Sequence, residues 1–266
     1  MSLKDFTIIS KLGTGAFSKV YKVRRQNDQS CYALKMVKID TMTDREKENA
    51  LNEVRVLASV RNPYVISYKE AFIEKDHLCI IMEVADHGDL KSLIDSNGCR
   101  KSPLDEEDIW HYLIQIVLGL QALHNMSILH RDLKTANVFL SNKKIVKIGD
   151  FNISKVAHQG FLCTKLGTPF YSSPEVWDDQ PYDQKSDIWA VGCILYEMCT
   201  SHPPFYTQNM EELGRRVKKG LYSPIPLTFS TELMYIIKEL LKVNPRNRPD
   251  CSQILMMGAV QRRLVL

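Results

Sequence analysis

The eight residues His130-Arg131-Asp132-Leu133-Lys134-Thr135-Ala136-Asn137 bring an acid, a cation and an amide close together in the chain. An aspartate can accept the proton of an attacking hydroxyl, a lysine can offset charge on a phosphate, and an asparagine oxygen can hold a metal ion. That set suits phosphoryl transfer. A lone loop aspartate would carry no such meaning, because aspartates commonly form turns; the spacing is what points to chemistry. Asp150, in Gly149-Asp150-Phe151-Asn152, follows Asn137 at an interval that suits two metal ligands on neighbouring loops, and carboxylate and amide oxygens suit Mg2+.

A phosphate donor would have to be positioned by other elements. Gly13-Thr14-Gly15-Ala16-Phe17-Ser18-Lys19-Val20 follows the apolar or β-branched run Phe6 to Leu12 and precedes Tyr21 and Val23, a pattern that predicts a hairpin with a glycine-rich tip. Glycine lets backbone N–H groups approach phosphate oxygens closely. Ser18 stands where G-x-G-x-x-G has its third glycine, which predicts a looser grip. Neither G-x-x-x-x-G-K-[S/T] nor a strand-to-helix dinucleotide fingerprint is present. A third strand, Cys31 to Val37, carries Lys35, which is either a phosphate-binding cation or a solvated strand lysine.

Thr43-Asp44-Arg45-Glu46 forms a capping box and opens a helix with Leu51, Val54, Leu57 and Ala58 on one face, ending before Asn62-Pro63. Glu53 on this helix either pairs with Lys35 or is a solvated glutamate. Tyr64 to Phe72 and His77 to Val84 read as strands that complete an antiparallel sheet of about five. Residues 83–88 then read as a hinge before a helix from Asp89 to Ser96.

Beyond this point the pattern is mainly helical. Asp105-Glu106-Glu107-Asp108 heads a long helix with Ile109, Tyr112, Leu113, Ile116, Val117, Leu120 and Leu123 at helical spacing, its acids a solvated first turn favoured by the helix dipole. His111 and His124 read as surface or packing residues, because no zinc-ligand spacing is present. Val138 to Leu140 and Ile145 to Ile148 predict a small hairpin. Ile188 to Cys199 is too short to span a bilayer and contains Glu197, so it reads as a buried helix. Glu211 with Arg215 and Glu212 with Arg216 predict ion pairs on a solvated face, and Glu232 to Val243 and Cys251 to Val260 predict closing helices.

The whole composition sets the bounds. With 266 residues, 44% hydrophobic and 25% charged, the chain has material for a substantial core, and a net charge of +4 from scattered lysines and arginines gives no nucleic-acid footprint. Seven cysteines without a C-x-x-C pair read as reduced thiols of a cytosolic protein, and Met1 to Ser10 lacks the apolar stretch of a secretory signal.

The motifs taken together resemble the eukaryotic protein kinases over nearly the whole chain. The segments Gly149 to Lys155, Gly167-Thr168-Pro169-Phe170-Tyr171 and Ser173-Pro174-Glu175-Val176-Trp177 are similar to those of the NIMA-related kinases. The resemblance implies an α+β, bilobal fold over 6–260. Its N-lobe, 6–82, has a small antiparallel sheet and one main helix; a hinge spans 83–88; the larger, mainly helical C-lobe is 89–260, with an activation segment at 150–175. It further implies that ATP is held by Leu12, Gly13, Thr14, Gly15, Ala16, Phe17, Ser18, Lys19, Val20, Ala33, Lys35, Met82, Glu83, Ala85, Asp89 and Phe139, and Mg2+ by Asn137 and Asp150. Asp132, Lys134, Lys35 and Glu53 would carry catalysis. By the same resemblance Asp187 anchors the catalytic loop, Arg248 pairs with Glu175, and a phosphate on Thr164, placed by an upstream kinase or by autophosphorylation, binds Arg131. Tyr68 is either a residue pointing into the site to disfavour the active state or plain core.

The expected function is a serine/threonine protein kinase acting on protein hydroxyls, with a catalytically weak, ATP-binding pseudokinase as the alternative. No nucleic-acid or membrane partner is expected, and the chain is expected as a monomer or transient dimer. Its expected place is the cytoplasm, with the centrosome, basal body, cilium or nucleus and a cell-cycle or microtubule role by family resemblance.

Overall fold

A computed structural model describes residues 1–15, 18–40, 42–99, 104–141, 144–150 and 169–264, with the backbone alone for residues 53, 98 and 99. Ala16, Phe17, Thr164, Asn152, Thr168 and the Glu53 side chain lie outside these described residues, as does most of the expected activation segment. The chain divides into two units, the first built on residues 1–86 and the second on the residues from 87 onward.

Five antiparallel strands form the first unit's sheet in the order β1-β2-β3-β5-β4. They are β1 (Phe6–Thr14), β2 (Ser18–Arg25), β3 (Cys31–Lys38), β4 (Tyr68–Glu74) and β5 (His77–Met82). Because side chains alternate along a strand, each face has its own composition. One face buries Phe6, Val23, Leu34, Cys79 and Ile81 as a core, over whose edge the Arg25 guanidinium stacks on Phe6 and Tyr32. The other face carries Val20 opposite Lys35, Lys35 opposite Ile80, and Ala33 opposite Met82. Helix α1 (Asp44–Ser59) starts with the expected capping box: the Glu46 N–H donates to Thr43 Oγ1 at 3.3 Å and the Thr43 N–H to Glu46 Oε2 at 2.7 Å. Such a cap is worth about 1 kcal/mol. Ala50, Val54 and Leu57 form its buried stripe.

The strand expected from Tyr64 begins instead at Tyr68. Asn62 folds its side chain onto the following backbone, accepting the Tyr64 N–H at 2.8 Å, so residues 62–65 form a turn before pairing starts. At the other end β5 stops at Met82, two residues short of the expected Val84.

In the second unit α2 (Leu90–Cys99), α3 (Glu106–Asn125), the hairpin β6 (Val138–Ser141) and β7 (Ile145–Ile148), α4 (Pro174–Trp177), α5 (Gln184–Thr200), α6 (Met210–Lys219), α7 (Thr231–Leu240), α8 (Cys251–Leu255) and α9 (Gly258–Leu264) follow in order. Helix α5 is buried from Ser186 to Cys199 and forms the core of this unit. It lies so close to the end of α7 that a Cβ on Gly192 would meet Leu241 at 2.8 Å and Leu240 at 2.9 Å. The single closing helix expected over 251–260 is two helices, broken at Met256-Met257. The acids heading α3 are also more than a solvated turn. Glu106 accepts from Trp110 Nε1 at 2.9 Å and from the Ser230 N–H at 2.7 Å, and Asp108 binds Lys144 Nζ at 2.6 Å. On α6, Glu212 takes both Arg215 and Arg216. None of the described helices is long and apolar enough to cross a membrane.

Candidate active site

The loop His130–Asn137 is held from beneath by one carboxylate. Asp187 lies in the first turn of α5, whose N-terminus is capped by Asp183, and is fully buried. Its oxygens accept the backbone N–H of His130 at 3.0 Å and of Arg131 at 3.2 Å, the His124 Nε2–H at 2.8 Å, and the Tyr182 hydroxyl. Burial alone would push this carboxyl up, but the donors led by His124 outweigh it and hold Asp187 below the usual carboxylate range. What it restrains is a strained backbone: Arg131 has φ +65°, a conformation that costs a side-chain-bearing residue about 1–2 kcal/mol. His130 completes the brace. Its Nε2 lies 3.1 Å from the Gly149 carbonyl and its Nδ1 accepts the Asp132 N–H at 3.3 Å. Accepting at Nδ1 requires a neutral ring, and burial pushes the His130 pKa down accordingly.

Above this base the reactive groups converge. Lys134 Nζ lies 3.0 Å from Asp132 Oδ2, and Asn137 Nδ2 donates to the Asp132 carbonyl at 2.7 Å and to Oδ2 at 3.1 Å. With its NH2 so committed, Asn137 has its amide oxygen left as a ligand atom. The Gly149 N–H donates to the Asn137 carbonyl at 3.1 Å, so the residue before Asp150 is bonded directly to the other candidate metal ligand. Asp150 itself has φ +58°. Among the described residues no cluster of three or more His, Cys, Asp or Glu could form an all-protein metal cage. An amide oxygen with a carboxylate instead fits Mg2+, which keeps waters and shares its shell with phosphate.

The turn Pro169–Tyr171 is bonded to the same loop. Thr135 Oγ1 lies 3.0 Å from the Tyr171 hydroxyl and 3.3 Å from Glu197 Oε2, and Tyr171 donates to Glu197. Glu197 is fully buried; burial raises its pKa, Lys91 Nζ stands 3.7 Å from Oε1, and that oxygen has no hydrogen bond. A few residues on, Glu175 and Arg248 form a buried bidentate pair with two 2.7 Å contacts. Arg248 also donates to the Lys242, Lys185 and Val243 carbonyls and stacks on Trp189.

In the first unit Val20, Ala33, Lys35 and Met82 share a sheet face, with Lys35 9% exposed on the central strand. Gly13 and Thr14 end β1, Lys19 follows Ser18 on β2, and Leu12 is half exposed. Gly15 donates its N–H to the Ser18 carbonyl at 2.8 Å, and a Cβ on it would stand 2.9 Å from Ser18 Oγ. The main-chain bond would be open to any residue at position 18, while the Ser18 hydroxyl leaves no room for a side chain at Gly15. Tyr68 is buried opposite Met82 at the start of β4. Glu83 exchanges hydrogen bonds with Ser67, its own N–H donating at 2.9 Å and its carboxylate accepting at 2.8 Å; Ala85 follows in the same connection. In the second unit Asp89 pairs with Phe139 and accepts the Ser92 N–H at 2.8 Å, which makes its carboxylate the cap of α2.

His124, Tyr182 and Glu197 were not among the residues the sequence singled out for the site. Glu197 had a usable signal: a lone carboxylate in an apolar run must find partners when buried. His124 and Tyr182 are brought in only by tertiary contact.

The model of the protein kinase domain matches residues 6–258. The chain belongs to the protein kinase domain family. It is 37% identical to the mouse serine/threonine-protein kinase Nek1 over 98% of this chain and 22% of that relative. It is 36% identical to the probable serine/threonine-protein kinase nek2 of Dictyostelium discoideum, over 95% of this chain and 62% of the relative. Human Nek2 is likewise 36% identical over 95% of the chain and 59% of its own length. The chain thus spans from about a fifth to about three fifths of the length of the curated relatives it matches. These Nek relatives agree with the NIMA-related resemblance read from the motifs.

Proposed function

We propose that this kinase-family chain transfers the γ-phosphate of ATP to serine or threonine hydroxyls of protein substrates. The observation that carries the reading is the constellation of Asp132, Lys134 and Asn137 at hydrogen-bond distance, braced by Asp187 and bonded through Gly149 to the residue preceding Asp150. Mg2+ bound with ATP would supply charge neutralisation at the phosphates, and Asn137 Oδ1 and the Asp150 carboxylate are the residues that would hold it. Asp132 orients the substrate hydroxyl and accepts its proton. Lys134, whose ammonium already lies against Asp132 Oδ2, offsets charge on the moving phosphoryl group. Lys35 is the cation for the α- and β-phosphates, and Glu53 its partner. The named Nek relatives support protein Ser/Thr as the acceptor class. Activation by phosphate on Thr164, read by Arg131, and restraint by Tyr68 belong to the same proposal. So does a cytoplasmic cell-cycle or microtubule role.

The test is transfer of labelled phosphate from Mg2+·ATP to a generic Ser/Thr protein substrate. Phosphoserine or phosphothreonine formed by the wild-type chain and lost in Asp132→Asn is the expected result. A folded, ATP-binding chain phosphorylated on Thr164 that transfers nothing would overturn it in favour of a non-catalytic scaffold.

A further inference from the structure

The Asp187 brace has a second layer. His124 is used on both sides of its ring: Nε2 lies 2.8 Å from Asp187 Oδ2, and Nδ1 lies 3.7 Å from the sulfur of Cys251, the first residue of α8. All three side chains are buried, and Cys251 is a free thiol. A neutral imidazole donates at one nitrogen and accepts at the other. Asp187 can only accept, so the ring proton belongs on Nε2. Nδ1 is then a buried acceptor that needs a donor, and the Cys251 S–H is the group that reaches it. Burial pushes this thiol up to about 12, so it keeps its proton and can donate.

We propose that Cys251 is a positioning residue for phosphoryl transfer. Its S–H satisfies His124 Nδ1 and holds the ring in place, His124 donates from Nε2 to Asp187, and Asp187 holds the His130 and Arg131 N–H groups beneath Asp132. No bond to substrate is involved. The sequence gives Cys251 no motif and leaves His124 as a bystander; only the fold strings α8, α3, α5 and the loop into one relay.

Three forms of the protein test this: wild type, Cys251→Ala, which removes the donor, and Cys251→Ser, which keeps one. The first readout is the 15N signals of the His124 ring, which do not depend on activity. Wild type should show the Nε2–H tautomer with a hydrogen-bonded Nδ1. In Cys251→Ala the Nδ1 signal should move, because the hydrogen bond to it is lost. The second readout rests on the kinase reading above. In Cys251→Ala, kcat should fall about fivefold, which corresponds to roughly 1 kcal/mol, with KM for ATP unchanged; Cys251→Ser should retain at least half of the wild-type kcat.

A wild-type Nδ1–H tautomer, or a His124 spectrum unmoved by Cys251→Ala, would overturn the proposal. A loss as large in Cys251→Ser as in Cys251→Ala would assign the effect to packing and overturn it too. Absence of phosphate transfer by the wild type would refute the kinase reading and leave the tautomer result standing by itself.

Discussion

Replacing Asp187 by asparagine probes the brace with almost no change in volume. The amide keeps one acceptor oxygen, which can still serve His130 and His124 in the place of Oδ2. Its NH2 then faces the Arg131 N–H, which donates to Oδ1 at 3.2 Å in the wild type, and a donor meets a donor. Tyr182 can turn its hydroxyl to accept, but a backbone N–H cannot. The change loses one charge-assisted bond outright and weakens the others by removing the charge; each such bond is worth about 1.5–3 kcal/mol. Release of the left-handed Arg131 backbone works in the same direction. A loss of about 3–6 kcal/mol at the loop corresponds to a kcat lower by roughly 10²- to 10⁴-fold. KM for ATP should change little, since among the described residues the hydrogen bonds of Asp187 go to His124, His130, Arg131 and Tyr182 and to no candidate nucleotide residue. Steady-state kinetics at saturating protein substrate, with folding checked by near-ultraviolet circular dichroism, measure this. A folded Asp187→Asn variant with kcat within threefold of wild type would refute the reasoning.

Other consequences concern stability and pH. Arg248→Lys cannot reproduce the bidentate contact with Glu175 and leaves a buried carboxylate short of donors. Each charge-assisted bond lost is worth about 1.5–3 kcal/mol, so loss of one is read as a fall in Tm of roughly 3–12 °C by calorimetry; a fall under 2 °C would contradict it. For Asp187, donors led by His124 offset burial, and for Glu175 the Arg248 guanidinium does so; both carboxyls are held below their usual range. Their contribution to stability is therefore complete above the ordinary carboxylate pKa of about 4 and fades as pH falls through the lower folded values. Acid unfolding should have its midpoint below about pH 4, and Arg248→Lys should move it upward. Glu197 has the opposite sign, because burial raises its pKa: it destabilises the fold once ionised. Glu197→Gln should gain stability relative to wild type as pH rises from the ordinary carboxylate pKa of about 4, and a difference in Tm that stays constant between about pH 4 and pH 8 would contradict this.

The grouping of Asp132, Lys134 and Asn137 was legible as a candidate site because it is local: the three are close in sequence and remain so in the fold. The third strand, Cys31 to Val37, was legible for the same reason, since a mainly apolar run is a short-range signal. Asp187, Glu175 and Arg248 came from resemblance and not from spacing, because the loop N–H groups lie 56 and 57 residues from Asp187 and Arg248 lies 73 from Glu175. His124 and Cys251 gave no signal. A histidine near the end of an amphipathic helix has the same local pattern whether it packs or braces a loop. The break at Met256-Met257 and the late start of β4 were hidden by apolar residues that continue the periodicity through a turn. Glu106 read as a solvated dipole charge because its partner, Ser230, lies 124 residues on.

The most direct measurement of the central claim compares phosphate transfer from Mg2+·ATP by the wild-type chain and by Asp132→Asn, at matched folding and matched Thr164 phosphorylation. The account predicts phosphoserine or phosphothreonine on the substrate protein with the wild type, and kcat at least a hundredfold lower in the variant, within the usual contribution of a general base. Equal transfer by both proteins would contradict the role given to Asp132, and transfer by neither would contradict the proposed activity itself.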